Sequence, residues 1–242
     1  MIEARTQPRA WSTVGVEGIC GRNLAEPRDV LYSAAKRTID VLGSVLLLTL
    51  LAPLMALIAL AIRLDSPGPA VFKQVRTGRW GREFVMLKFR SMYVDADQEV
   101  HRKFATQYIN GSRTTGGNDT RGNLPVFKPA NDKRISRVGK WLRRTSLDEL
   151  PQFFNVLRGE MSLVGPRPAV PYEVEQYSSW HLQRLAVLPG LTGLAQISGR
   201  SGLTFEKIVC LDLLYVRKRS LMLDLWILLR TVPVVIRAKC VA

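Results

Sequence analysis

The stretch from Val41 to Ile62 carries no charged side chain, and no other feature limits so strongly what this chain can fold into. About 20 consecutive apolar residues let a helix reach across bilayer hydrocarbon, whereas a surface helix of a soluble protein keeps one polar face. Lys36, Arg37 and Asp40 stand before the run, and Arg63 and Asp65 after it. Pro53 sits at its middle, where the ring removes a helical hydrogen bond and disfavours helical geometry at Ala52, so a kink is expected there. Basic residues flank both ends, and loop charge therefore assigns neither end to a side of the membrane. A helix-break-helix that enters and leaves by one face accounts for both the proline and the charges. Two plainer readings stand beside it: a single-pass helix with a tolerated proline, and a buried core helix in a soluble nucleotide-binding enzyme.

Charge narrows the partners. Lys and Arg number 35 against 20 Asp and Glu, a net charge of +15, which favours phosphates, nucleotides, acidic lipid headgroups or nucleic acid. Cys20, Cys210 and Cys240 lie far apart with no C-x-x-C pair, which argues against a disulfide framework and a thiolate metal site. His101 and His181 are the two histidines, too few for a His-rich metal cluster. Chemistry falls to carboxylates and cations.

The expected class is α+β and mainly helical, with one small β-hairpin. Residues 1–35 read as a poorly ordered tail, without the basic start and immediate apolar run of a cleaved signal peptide. Residues 36–66 form the kinked membrane helix, and 67–242 a single domain. After the turn Pro67-Gly68-Pro69, the alternation from Ala70 to Met92 predicts a hairpin with Gly78 and Gly81 at its bend. Residues 104–131, rich in Gly, Thr, Asn and Arg, read as a mobile insertion. Helical patterns follow over Lys133–Leu157 and Tyr172–Leu188, then a loop-like stretch to Arg200. The last helix, Leu221–Ile236, is apolar except for Asp224, Arg230 and Thr231, which suits the core or the membrane interface.

The residues best suited to chemistry are the adjacent carboxylates Asp148 and Glu149, which follow Arg143 and Arg144. Such a pair could hold a divalent cation and a pyrophosphate together, and a carboxylate can attack phosphorus once cations neutralise the phosphate oxygens. The structural alternative is a helix start: Ser146-x-x-Glu149 matches a capping box, and Pro151 would make Asp148 itself the cap. Arg167, held between Pro166 and Pro168, suits phosphate contact but equally an exposed turn. Lys88 and Arg90 at a strand end face the same choice. Asp212 and Tyr215 share a helical face, where a local contact is the simpler reading. Gly190-Leu191-Thr192-Gly193 is too generic for a phosphate loop.

Together these segments resemble the bacterial sugar transferase family, the monotopic phosphoglycosyl transferases, from about Lys36 to Ile236. The carriers are Lys36-Arg37-Thr38-Ile39-Asp40-Val41, Leu87-Lys88-Phe89-Arg90-Ser91-Met92, Arg143-Arg144-Thr145-Ser146-Leu147-Asp148-Glu149-Leu150-Pro151-Gln152, the segment Asn155–Pro168, Pro189-Gly190-Leu191-Thr192-Gly193 and Gln196-Ile197-Ser198-Gly199-Arg200. The resemblance implies a re-entrant helix in the bacterial inner membrane, a catalytic domain on the cytoplasmic face, and Mg2+. It implies a UDP-sugar donor, undecaprenyl phosphate as acceptor and release of UMP through a covalent aspartyl intermediate, the first membrane step of polysaccharide synthesis. By motif position Asp148 is the nucleophile, Glu149 the metal ligand, and Lys88, Arg143 and Arg167 phosphate contacts. Arg90, Arg144, Arg200 and Asp212 are further substrate-binding candidates. Membrane lipids are expected partners, a homodimer is left open, and nucleic acid is not expected. Two departures stand out: Ala52-Pro53 replaces the usual Ser-Pro at the break, and Ala195 stands where many members place Trp. The competing class is a membrane-anchored basic module that binds nucleic acid or acidic lipid, which has no use for Asp148 and Glu149.

Overall fold

The apolar run forms a helix, and a longer one than its uncharged length requires. In the computed structural model, which describes residues 27–94, 99–109, 134–199 and 202–236, helix α1 extends from Pro27 to Asp65. It begins inside the segment expected to be tail. Helical bonding continues through Pro53, so the segments expected on either side of it belong to one helical element. A proline costs an interior helix one hydrogen bond, and the turns on either side can carry the structure past it.

One stripe of α1 faces the rest of the fold. Asp40, Ser44, Ile58 and Ile62 are buried, while Leu42, Val45, Leu46, Leu50, Leu57, Leu60 and Leu64 remain exposed. A core helix would bury these leucines, so their exposure argues against the soluble-enzyme reading. Both flanks of the helix are bonded to the same body. Near the start, the Arg37 guanidinium donates to Val156 O at 2.6 Å and Leu157 O at 2.7 Å, and Asp40 Oδ1 accepts from Leu163 N at 2.9 Å. Lys36 Nζ and the Tyr32 hydroxyl reach Asp224 Oδ2 at 2.9 and 3.0 Å. At the far end, buried Arg90 donates to Ser66 O at 2.6 Å and Pro67 O at 2.8 Å. These are carbonyls at and beyond a helix terminus, which lack helical donors.

The expected hairpin is present. Strands β1 (Val71–Thr77) and β2 (Glu83–Phe89) pair antiparallel from Val71↔Phe89 to Thr77↔Glu83. Their connection is a 3-10 turn over Arg79–Gly81, with Trp80 and Gly81 at φ 58° and 75°. Of the expected insertion, the start belongs to helix α2 (Glu99–Ile109), and the rest lies outside the described residues.

The helical pattern after Lys133 is three elements rather than one: α3 (Arg137–Thr145), a 3-10 turn over Leu147–Glu149, and α4 (Gln152–Arg158). Ser146 at φ 58° ends the first, and Pro151 precedes the last. Asn155, fully buried in α4, accepts from Leu87 N at 2.9 Å and donates to Val85 O at 2.7 Å, so its amide covers the free edge of β2 as a neighbouring strand would. Strand β3 (Ser162–Val164) then pairs in parallel with β4 (Gly190–Thr192), which falls in the stretch expected to be loop. Glycine is required there by close approach, since a Cβ on Gly190 would stand 2.0 Å from Gly165 N.

The expected Tyr172–Leu188 helix is likewise divided, into α5 (Pro171–Val174), α6 (Ser179–Leu182) and a 3-10 turn over Gln183–Ala186. Helices α7 (Leu194–Ser198), α8 (Phe205–Lys218) and α9 (Leu221–Ile236) complete the fold, the last with the expected bounds. Buried Tyr215 of α8 lies 2.8 Å from Asp224 of α9 and 3.1 Å from Val164 O, so one polar network ties α1, α8, α9 and β3. The main core gathers Phe84, Met86, Phe153, Val156, Met161 and Tyr215, and a second cluster joins Ile58 and Ile62 of α1 to Phe89 and Leu142. Leu150 packs against both.

Candidate active site

Asp148 and Glu149 occupy the 3-10 turn between α3 and α4, and the backbone there is not a helix cap. Ser146 adopts the left-handed conformation, and its side chain caps nothing. The capping box suggested by spacing is therefore absent, because its serine must be extended to reach the following amides. Helix α4 starts only at Gln152, which also removes Asp148 as its cap. A non-glycine residue in the left-handed region costs about 1–2 kcal/mol. The turn is held in place by Leu147 and Leu150, which pack against the cluster formed with the membrane-length helix.

Cations surround the pair. Glu149 Oε1 lies 3.4 Å from Arg167 NH1 and 3.6 Å from Lys88 Nζ. The Arg143 Nε donates to Ser91 Oγ at 2.9 Å, and its charge acts on Asp148. Lys88 is delivered by β2 and Arg167 by the Gly165–Pro168 turn, so residues far apart in the chain converge on one carboxylate. A small open cleft of about 200 Å3, including space open to solvent, is lined by Arg76, Lys88, Glu149, Gln152, Arg167 and Leu191 among others.

Burial sets the electrostatics. Desolvation raises the Asp148 pKa above the ordinary carboxylate value, with Glu149 adding to the rise while Lys88, Arg143 and Arg167 oppose it. The same desolvation pushes Lys88 down to about 8, against the pull of Glu149 and Asp148. Arg76, also buried, is lowered to about 10, by desolvation first and then by Arg167.

Other candidates are placed differently. Arg90 spends its guanidinium on the end of α1, through Ser66 and Pro67. Asp212 is buried against Arg184 at 2.5 Å and does not line the cleft. Arg144 is exposed on α3, and Arg200 lies outside the described residues. Arg76 and Gln152 line the cleft without having been singled out by sequence. The hairpin register puts Arg76, Met86 and Lys88 on one face of β1 and β2. That shared face was the available signal, and it required the register.

Among the described residues no group of three or more His, Cys, Asp or Glu gathers into a metal cage. The dyad nevertheless fits Mg2+, which is commonly held by one or two carboxylates with substrate phosphates completing its shell.

A family model described as bacterial sugar transferase matches residues 31–238. The chain is 41% identical over 202 residues to undecaprenyl-phosphate galactose phosphotransferase of Salmonella typhimurium, covering 84% of this chain and 40% of that protein. It is 42% identical over 215 residues to UDP-glucose:undecaprenyl-phosphate glucose-1-phosphate transferase of Klebsiella pneumoniae, covering 85% and 41%. Against exopolysaccharide production protein ExoY of Rhizobium meliloti it is 41% identical over 201 residues, covering 83% and 85%. The chain thus spans about two-fifths of the first two relatives and most of ExoY.

Proposed function

Because this chain belongs to the bacterial sugar transferase family, we propose that it moves a sugar 1-phosphate from a UDP-sugar to undecaprenyl phosphate and releases UMP, as the first membrane step of a polysaccharide. The observation that carries the reading is the convergence of Lys88 and Arg167 on Glu149, beside Asp148, in a turn seated on an apolar membrane-length helix. A binding module for nucleic acid or acidic lipid would share the charge and the helix but would leave that carboxylate pair without a task.

In the first step the Asp148 carboxylate attacks the sugar-bearing phosphorus. A P–O bond forms, the bond to the bridging oxygen breaks, and UMP leaves with the electron pair. In the second, a phosphate oxygen of the lipid attacks the same phosphorus and restores the Asp148 carboxylate. Lys88, Arg143 and Arg167 offset the negative charge that would otherwise repel an approaching carboxylate. Glu149, next to the nucleophile, would hold Mg2+ with the diphosphate, and the ion when bound neutralises phosphate oxygens.

The membrane arrangement proposed is re-entrant. Bonds from Arg37 and Asp40 at one flank, and to Ser66 and Pro67 at the other, attach both ends of the apolar run to one body. That supports a helix that dips into the inner membrane from its cytoplasmic face, with the lipid acceptor meeting the cleft at the interface. Relatives are named for both galactose and glucose, so the sugar is left to a donor screen.

The test is UMP release from protein purified in detergent and given each UDP-sugar, Mg2+ and polyprenyl phosphate. Release that depends on the lipid supports the transferase. Full turnover in Asp148→Asn overturns the nucleophile, and salt-sensitive binding of nucleic acid with no UMP from any donor supports the binding module instead.

A further inference from the structure

The turn that carries Arg167 has its carbonyls held in succession by different parts of the fold. Pro166 O accepts from Gly190 N at 2.8 Å, and Arg167 O from the Arg184 guanidinium at 3.4 Å. Pro168 O accepts from Arg76 NH1 at 3.0 Å, and Ala169 O from Thr77 N at 2.9 Å. The two guanidinium groups are themselves fixed. Gln74 Oε1 accepts from Arg76 Nε and NH2 at 3.2 and 2.8 Å, while Asp212 and the Tyr177 hydroxyl hold Arg184 at 2.5 and 3.0 Å.

Arg76 and Arg184 are 8% and 5% exposed, whereas the Arg167 side chain is 51% exposed and ends on Glu149. Burying the Arg76 guanidinium to hold the neutral Pro168 carbonyl is costly where an uncharged donor would serve. The contrast gives the placement a purpose. A fixed backbone with an exposed tip lets Arg167 leave Glu149 for an arriving phosphate while its reach stays set, and catalysis is sensitive to displacements of about 1 Å.

We propose that Arg76 and the Arg184–Asp212 pair are positioning residues for Arg167, which lock the Pro166–Arg167–Pro168 backbone and so aim its guanidinium at the donor phosphate. The inference rests on the transferase reading above, and it assigns Asp212 to support rather than to substrate contact.

A double-mutant cycle tests it by UMP release. Because Arg76 acts through Arg167, Arg76→Ala lowers kcat/KM about thirty-fold in the native background but no more than about three-fold in Arg167→Ala. Equal losses in both backgrounds overturn the proposal. Arg76→Lys keeps the charge without the fork, so it falls between and carries the same cycle if the alanine variant does not fold; native rates in Arg76→Lys also overturn it. Hydrogen exchange at the Thr77 and Gly190 amides, which donate to Ala169 O and Pro166 O, needs no substrate. It accelerates about ten-fold or more in Arg76→Lys and Asp212→Asn as local opening becomes easier, and unchanged exchange overturns the clamp. A native protein that releases no UMP from any donor defeats the transferase reading alone, and the exchange measurement still decides the clamp.

Discussion

Two titrating residues, Lys88 in the cleft and Asp148 beside its Glu149, set the pH dependence expected of the proposed reaction. A raised Asp148 pKa keeps the proposed nucleophile protonated to higher pH than an ordinary carboxyl, so the acid limb of kcat/KM is expected above the usual carboxylate range. Lys88, pushed down to about 8, loses its charge as pH rises through that value, and the basic limb follows. The expected profile is a bell, measured as initial UMP release against pH. Lys88→Arg moves the basic limb upward, because a guanidinium stays charged; an unmoved limb assigns it to another group. Asp148→Asn removes the proposed nucleophile with little change in side-chain volume, and turnover is expected to fall about a thousand-fold or more. Sequence pointed to both residues. It could not decide whether the Asp148 turn is a helix cap, since that depends on the φ of Ser146, which no spacing reports.

At the scale of elements, the site depends on how α4 and α3 grip the hairpin and the long helix. Asn155 holds β2 through Leu87 N and Val85 O, and Asn155→Ala leaves both without that partner, lowering stability by about 1–3 kcal/mol. Lys88 lies on the strand so released, and the same variant loses activity beyond its loss of folded protein. Leu142 of α3 is fully buried against Ile58, Ile62 and Phe89. Leu142→Ala costs about 2–5 kcal/mol in denaturant unfolding, as expected for a leucine-sized cavity. Ser146→Gly relieves the left-handed strain and stabilises the fold by about 1 kcal/mol, while activity falls if rigidity at this turn aims Asp148. The hairpin and α9 were readable from alternation and periodicity. The β3–β4 pair was not, because three-residue strands show no period and their glycines serve a backbone approach that exists only after folding.

For the molecule in its membrane, the decisive quantity is the side on which each end of the apolar helix lies. In a chain with Cys20, Cys210 and Cys240 changed to Ser, single cysteines at Val30 and Leu64, both exposed, should react with an impermeant thiol reagent only when the cytoplasmic face is accessible. Reaction of one position from outside sealed cells identifies a spanning helix. The charge of +15 fits either face of this question, since acidic headgroups and the diphosphate of the proposed donor are both anions.

By itself the sequence determined that the chain has a bilayer-length apolar segment, a hairpin, a terminal apolar helix and a carboxylate pair beside cations. These follow from composition and short-range period, which are local properties. Tertiary structure alone decided that Lys88 and Arg167 meet at Glu149, that Arg90 and Asp212 serve the scaffold, and that Arg76 belongs to the cleft. Each of those outcomes depends on which segments pack together, and packing joins residues through burial and geometry that their order along the chain does not encode.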